Sequence, residues 1–170
     1  MENKITKLNI RKANLNDARF LLKIHNTSVA GGYFHSKNLV KYSEHIKWFK
    51  SKLNSKNSQI YIGKKNRIRF GYVRFDKVEN NIFEVSLGNL PIFYSKGLGS
   101  KMLGYSIQKF IKNFSPKKIT SVIKRSNIRS QKCFLKNGFV KTNFNIKKHK
   151  TINKINKNKE NYFELKIKQK

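Results

Sequence analysis

The sequence predicts a single-domain α/β (α+β) fold in which helices cover a mixed sheet, in the order β-α-α-β-β-β-α-β-α-β-β. Three observations predict it. The 170 residues fit one compact domain with a sizeable core, and a hydrophobic content of 38%, with 13 Phe and 7 Tyr, argues against wholesale disorder. Segments of two-residue apolar alternation are interleaved with segments of 3.6-residue period, the signatures of strands and helices. Between Ile82 and Ile111 an alternating stretch passes through a glycine-containing loop into a helical pattern. No internal repeat or composition break divides the chain, so residues 1–170 read as one domain.

Leu8 to Ala13 alternates like a strand. Asn14 or Asn16 caps the following helix, whose Ala18, Leu21, Leu22 and Ile24 keep the helical period. From Ser28 to Tyr42 the chain contains Gly31-Gly32, has no period and reads as a loop. A second helix runs from Ser43 to Leu53 and presents His45, Ile46, Trp48, Phe49 and Leu53. Gln59 to Gly63 and Ile68 to Phe75 are strands joined by a turn at Lys64-Lys65-Asn66. Asp76 to Asn81 is another turn, before a strand that ends near Leu90. The third helix carries Met102, Leu103, Ile107, Phe110 and Ile111 and stops before Pro116. Ile119 to Ile123 is a short buried strand; Ser126 or Asn127 starts a fourth helix that Gly138 ends. Phe139 to Ile146 and Tyr162 to Ile167 are the last strands, and the lysine- and asparagine-rich residues 149–160 between them read as a mobile loop.

The stretch Pro91 to Ser100 says most about function. A tight loop turns backbone N–H groups toward one point, and the helix that follows adds its own unpaired N–H groups and dipole. The product is a cradle for phosphate or pyrophosphate. The formal net charge of +31, from 39 Lys and Arg against 8 Asp and Glu, favours an anionic cofactor or substrate. The lysines are dispersed along the whole chain, with no zinc-finger spacing or nucleic-acid-reading element, so no specific nucleic-acid partner is expected. No 18-residue apolar stretch exists, which predicts no membrane span. His25, His35 and His45 lack metal-ligand spacing, so no metal is expected. The single cysteine, Cys133, and the lack of an apolar signal region after Met1 fit a cytoplasmic protein.

The element order, the loop Lys96-Gly97-Leu98-Gly99 and the segment Asn127 to Phe139 together resemble the GNAT superfamily of acyl-CoA-dependent N-acetyltransferases, from Ile10 to about Ile167. The resemblance implies a mixed, mostly antiparallel twisted sheet flanked by about four helices. It also implies acetyl-CoA as co-substrate, held by Leu87, Asn89, Tyr94, Ser95, Lys96, Gly97, Leu98, Gly99, Ser100, Asn127, Ser130 and Phe134. The family's usual loop begins with Arg or Gln followed by Gly, where this chain has Tyr94 and Ser95. Within the family, His25-Asn26, the run His45-Ile46-Lys47-Trp48-Phe49 and Gly71 to Asp76 resemble a group acting on nucleotide-linked amino sugars of pseudaminic- and sialic-acid-like pathways. The group's first-helix ending is Trp-Arg-Asn, of which only Asn26 remains. His25, Asn26, His45 and Trp48 are the substrate-binding candidates, with a stacking surface for a base or sugar ring at Trp48.

Acetyl transfer to an amine needs a neutral nitrogen, a polarised thioester carbonyl and a proton for the departing thiolate. Glu84 is the candidate base: Ile82, Glu84 and Ser86 share one strand face, and a carboxylate there is costly unless paired or used. Pairing with a lysine on a solvated sheet face is the alternative, and burial decides between them. The resemblance places carbonyl polarisation at Leu87, Gly88 and Asn89, where Gly88 lets the strand bulge and free a donor. Relatives carry a tyrosine acid at the position of Phe134, which cannot donate a proton. Asn127, Ser130 and Phe134 share a helical face, with Cys133 one position off it as a buried apolar filler.

The function expected is transfer of an acetyl group from acetyl-CoA to a primary amine of a nucleotide-linked amino sugar, by direct attack in a ternary complex. Two alternatives are a protein N-acetyltransferase of the ribosomal-protein type and a non-catalytic basic nucleic-acid-binding module. The last strand is of a kind that takes part in dimers, so a homodimer is a further expectation.

Overall fold

The computed structural model describes residues 8–34, 38–142 and 159–167. Its elements are β1 (Leu8–Lys12), α1 (Ala18–Ala30), α2 (Tyr42–Asn54), β2 (Ser58–Lys65), β3 (Ile68–Glu79), β4 (Ile82–Asn89), α3 (Leu98–Phe114), β5 (Lys118–Lys124), α4 (Ile128–Lys136), β6 (Val140–Thr142) and β7 (Glu160–Lys166), with 3-10 turns at Leu15–Asp17 and Pro91–Phe93. This is the order expected from the sequence. One seven-stranded sheet runs β1-β2-β3-β4-β5-β7-β6, antiparallel throughout except for the parallel pair β4–β5.

Differences lie at element ends. Neither asparagine caps α1, whose N-cap is Asp17; Asn14 caps the 3-10 turn before it, accepting from Asn16 N at 3.1 Å, while the Asp17 carboxylate accepts from Asn14 N at 2.9 Å. Asp17 is fully buried and also receives Arg11 through both its oxygens, at 2.7 Å each, and Arg69 at 3.0 Å. The helix α1 extends three residues into the stretch expected as loop, because Ser28 and Val29 are buried against the body of the protein. The β2–β3 turn is Asn66-Arg67, both at positive φ (47° and 69°), a pair that suits a two-residue hairpin and lets β2 run on to Lys65. The strand β3 likewise runs on through Asp76 to Glu79, since Asp76 is bound by Lys52, Arg74 and Ser58 instead of turning. Glu160, expected in the loop, starts β7; residues 149–158 of that loop, and the expected strand beyond Thr142, lie outside the described residues.

Each sheet face has its own apolar layer. On one, Ile60, Ile62 and Tyr72 pack with Ala18, Leu21 and Ile24 of α1 and Phe49 of α2. On the other, Val73, Phe75, Phe83, Val85 and Ile119 meet Met102, Leu103, Ile107 and Phe110 of α3, where Phe75 and Phe110 stack at 4.1 Å. Burying one such ring stabilises the fold by about 1.5–3 kcal/mol. The functional consequence comes from β4–β5. Their ladder joins Ile82–Glu84 to Lys118–Thr120 and stops, although β4 continues to Asn89 and β5 to Lys124. The strands splay into a V with Glu84 and Thr120 at its apex.

Candidate active site

The open arm of the V leads into the glycine loop. Ser95 has φ 58° and Gly97 φ 70°, so the loop is left-handed at two places, and serine occupies one of them. The first intrahelical bond of α3 runs from Lys101 N to Gly97 O at 3.2 Å, which leaves the Leu98, Gly99 and Ser100 N–H groups ahead of the ladder. A Cβ on Gly99 would come within 2.5 Å of Asn89 Nδ2, and one on Gly97 would meet nothing. The two glycines therefore do different things: Gly99 allows β4 and α3 to approach, and Gly97 supplies the left-handed turn into α3.

This cradle floors a groove of about 260 Å³. Of the expected cofactor residues, Leu87, Asn89, Tyr94, Ser95, Gly97, Gly99, Ser100, Asn127 and Ser130 line it, together with Gly88. Leu98 is buried in the core instead, and exposed Lys96 lies with its ammonium 5.9 Å from the Phe93 ring. Phe134 is 1% exposed and packs edge-to-face on Phe139, while Cys133 lines the groove. The helix face is turned by about one residue from the one expected. Asn127 stands outside the helix as its N-cap, accepting from Ser130 N at 3.1 Å, and the burial of Phe134 fixes the rotation of α4. Burial pushes the Cys133 thiol up to about 12, against a hydrogen bond with Ser100 and the charge of Lys136.

Sequence reasoning missed the basic residues of α4. Arg129, Lys132 and Lys136 line the groove, and Arg129 lies over the rings of Tyr94 (3.8 Å) and Tyr33 (5.1 Å). Their spacing on the helix carried that signal, but a chain so rich in lysine hides it. Ser28, Tyr33 and Phe34 were missed for another reason: they come from α1 and the segment after it, distant in sequence from the loop they face.

A second cavity, of about 300 Å³, lies between α1, α2 and β3. His25, His45 and Trp48 line it, with Tyr72 and Arg74 from β3 and Glu44 from α2. Arg74 lies 5.2 Å over the Trp48 ring, and His45 is tilted against the same ring at 5.3 Å. Burial lowers the pKa of both histidines; the charge of Arg74 adds to this at His25, while a backbone hydrogen bond at Ala18 opposes it at His45. Both imidazoles are therefore neutral at pH 7, and the Nε2 atom of each is buried without a hydrogen-bond partner in the protein. Asn26 is placed differently, its amide donating to Val40 O and accepting from Val40 N at 3.0 Å each. It fastens α1 to the segment leading into α2.

The two cavities adjoin. Gly88 lines the groove and sits against Tyr72 of the pocket, and Phe34 of the groove packs edge-to-face on His25 at 5.3 Å. Glu84 is four residues upstream of Gly88 on the same face, beside Asp76 and Thr120 in register. Among the described residues no cluster of three or more His, Cys, Asp or Glu is arranged to hold a metal, and no helix is long and apolar enough to cross a membrane.

Residues 7–140 match the family described as the acetyltransferase (GNAT) domain. The chain belongs to the GNAT acetyltransferase family. No curated protein matches its sequence. Among solved structures, the putative acetyltransferase YncA of Salmonella typhimurium, determined with its cofactor acetyl-CoA, is 17% identical, with 97% of this chain and 96% of that one covered at a TM-score of 0.79. Spermidine N-acetyltransferase of Vibrio cholerae, in complex with CoA and spermine, is 13% identical over 94% and 95%, at 0.78. Ribosomal-protein-alanine N-acetyltransferase of Brucella melitensis is 15% identical over 94% and 99%, at 0.77. These likenesses are of fold. The GNAT chain described here shares it with enzymes named for quite different amines.

Proposed function

We propose that this GNAT protein transfers the acetyl group of acetyl-CoA to the primary amine of a nucleotide-linked amino sugar. The observation that carries the proposal is that Gly88, which lines the groove beside the splayed β4, packs against Tyr72, which lines the pocket. The groove suits a polyanionic thioester carrier. The N–H groups from Ser95 to Ser100 receive the pyrophosphate, and Arg129, Lys132 and Lys136 add positive charge along α4. Acetyl-CoA supplies the activated acyl group. The β3–β4 ladder runs through Gly88 without the expected bulge, so the donor to the carbonyl comes instead from the β4 edge that splays from β5 beyond Glu84, and Glu84 assists removal of the amine's proton. Cys133, with its thiol held neutral, forms no acyl-enzyme.

The pocket supports the sugar reading. It is walled by Trp48, Arg74 and two neutral imidazoles, which together offer a stacking face, a cation and hydrogen-bonding nitrogens for ring hydroxyls. The similarity of solved acetyltransferases named for spermidine and for ribosomal-protein alanine makes those amines the controls. The experiment is calorimetry with acetyl-CoA followed by thiol release in the presence of a UDP-linked amino sugar, spermidine or an alanyl peptide. Turnover with the sugar alone is expected. Turnover confined to spermidine or the peptide overturns the acceptor, and no acetyl-CoA binding overturns the whole reading.

A further inference from the structure

A row of side chains on β4 connects the acceptor pocket with Glu84. The β3–β4 ladder is unbroken here and matches Asp76 to Glu84, Arg74 to Ser86 and Tyr72 to Gly88. Residues two apart on a strand share a face, so Glu84, Ser86 and Gly88 look the same way as Tyr72 and Arg74, which line the pocket. Glu84 lies about 13 Å along the strand from Gly88, beyond the direct reach of a carboxylate toward an amine held there. Ser86 stands midway, about 7 Å from each. Its Oγ is buried and has no hydrogen-bond partner in the protein. A buried hydroxyl in that state is destabilising, and its presence calls for a reason.

We propose that Ser86 is a proton relay between the acceptor amine and Glu84. The proposal rests on Glu84 being the base. As the amine nitrogen bonds to the thioester carbonyl carbon, the C–S bond breaks and its electron pair leaves on sulfur. The nitrogen's proton passes to Ser86 Oγ while the hydroxyl proton passes to the Glu84 carboxylate, so the serine ends unchanged. Each transfer runs directly or through one water. Glu84 then returns its proton to solvent, and the thiolate takes one from solvent. A hydroxyl is both donor and acceptor, which this double transfer requires.

Other charged and titratable groups face the row from the neighbouring elements. Arg74 and Asp76 of β3 bind each other at 2.7 Å, and Lys52 of α2 binds Asp76 at 2.6 Å. His25 of α1 and His45 and Glu44 of α2 line the pocket beyond Arg74. Across the V, burial pushes the Tyr162 hydroxyl of β7 up to about 12, and a hydrogen bond with Thr120 engages it.

The test compares Ser86→Ala, Ser86→Thr, Glu84→Gln and the double variant, by thiol release from acetyl-CoA with whichever of the UDP-linked amino sugar, spermidine or alanyl peptide turns over. Ser86→Ala is expected to lose about tenfold or more in kcat/KM at pH 7, with the loss shrinking at high pH and acetyl-CoA affinity unchanged by calorimetry. Ser86→Thr, which keeps the hydroxyl, is expected to retain most activity and to separate relay from packing. The double variant is expected to be no slower than Glu84→Gln, within about twofold. Wild-type kcat/KM in Ser86→Ala overturns the relay, as do a pH-independent loss and losses that multiply in the double variant. If Glu84→Gln is inactive and Ser86→Ala is not, the relay alone falls. An active Glu84→Gln at pH 7, or no turnover with any of the three amines, removes the base and the relay together.

Discussion

The guanidinium of Arg129 lies 3.8 Å from the centre of the Tyr94 ring, joining α4 to the start of the glycine loop across the rim of the groove. The contact sits where a relative's loop would begin with its own arginine or glutamine. In this chain the cation comes from α4 and the loop supplies an aromatic support for it. Replacing Arg129 with Ala is therefore expected to raise KM for acetyl-CoA about tenfold with little change in kcat. Titration calorimetry with acetyl-CoA, at low and high salt, checks it; unaltered affinity at both would show that Arg129 only braces Tyr94.

Gly97 offers a cleaner separation of binding from folding. A side chain there meets no atom of the free protein beyond its chain neighbours, and the residue turns the chain into the start of α3 at a φ of 70°. Gly97→Val is expected to fold, with a destabilisation of about 1–3 kcal/mol from the backbone conformation. Acetyl-CoA binding should be lost. Circular dichroism of the variant beside calorimetry decides: wild-type affinity in a folded Gly97→Val protein would move the pyrophosphate elsewhere.

The contrast between Gly97 and Phe134 shows what a single sequence makes legible. Gly97 was readable because a strand, a glycine loop and a helix follow one another locally, and backbone geometry at such a junction depends little on the rest of the chain. The element order was readable for the same reason, from alternation and helical period. The rotation of α4 was not. It is set by Phe134 seating itself against Phe139 and the α3 layer, and by Asn127 remaining outside the helix, neither of which i, i+3 spacing reports. The pocket between α1 and α2 was half legible. His25, His45 and Trp48 stood out as unusual residues, whereas Arg74 and Tyr72 join them only through the pairing of β3 with its neighbours.

Acid should weaken the tie that Asp17 makes between the start of α1 and the strands β1 and β3. Burial alone would raise the pKa of Asp17, but hydrogen bonds from Arg11, Asn14 N and Arg69 overcome it and hold the carboxylate below its usual range. A depressed folded pKa gives stability that is complete above the unfolded value, about 3.9, and is lost as pH falls through the folded one. Asp17→Asn removes the charge from two part-exposed arginines that water can then solvate, at an expected cost of about 1–3 kcal/mol. Urea melts of both proteins at pH 7 and pH 3 test this. The variant should lose less stability between the two, and an equal loss would place the acid sensitivity elsewhere.

The charge of +31 is expected to carry no sequence preference for nucleic acid. Its lysines and arginines are dispersed along the whole sequence, several described ones are held in ion pairs, and Arg129, Lys132 and Lys136 line the groove. Weak, salt-sensitive retention on DNA or RNA is the outcome of dispersed lysines. Selection from a random pool should return no motif. A defined sequence held at physiological salt, in strong preference to its scrambled form, would assign the charge a second task.

Glu84 and Cys133 distinguish direct transfer from an acyl-enzyme. Glu84 stands at the apex of the V, on the face that carries Tyr72 and Arg74 of the pocket, and Cys133 lines the groove. Both are close enough to the reaction to be suspected, but their chemistry differs. A thiol pushed up to about 12 is protonated at neutral pH and is a poor nucleophile. Cys133→Ala should therefore keep kcat/KM within about threefold, the small loss coming from packing beside Ser100. Glu84→Gln should depress kcat/KM by about 100-fold at pH 7 and recover in part at high pH, where more of the amine is free without help. Pre-steady-state thiol release gives an independent sign: acetyl-CoA alone should yield no burst, because no acyl group is parked on the enzyme. A burst that disappears in Cys133→Ala, alongside a fully active Glu84→Gln, would reverse both assignments.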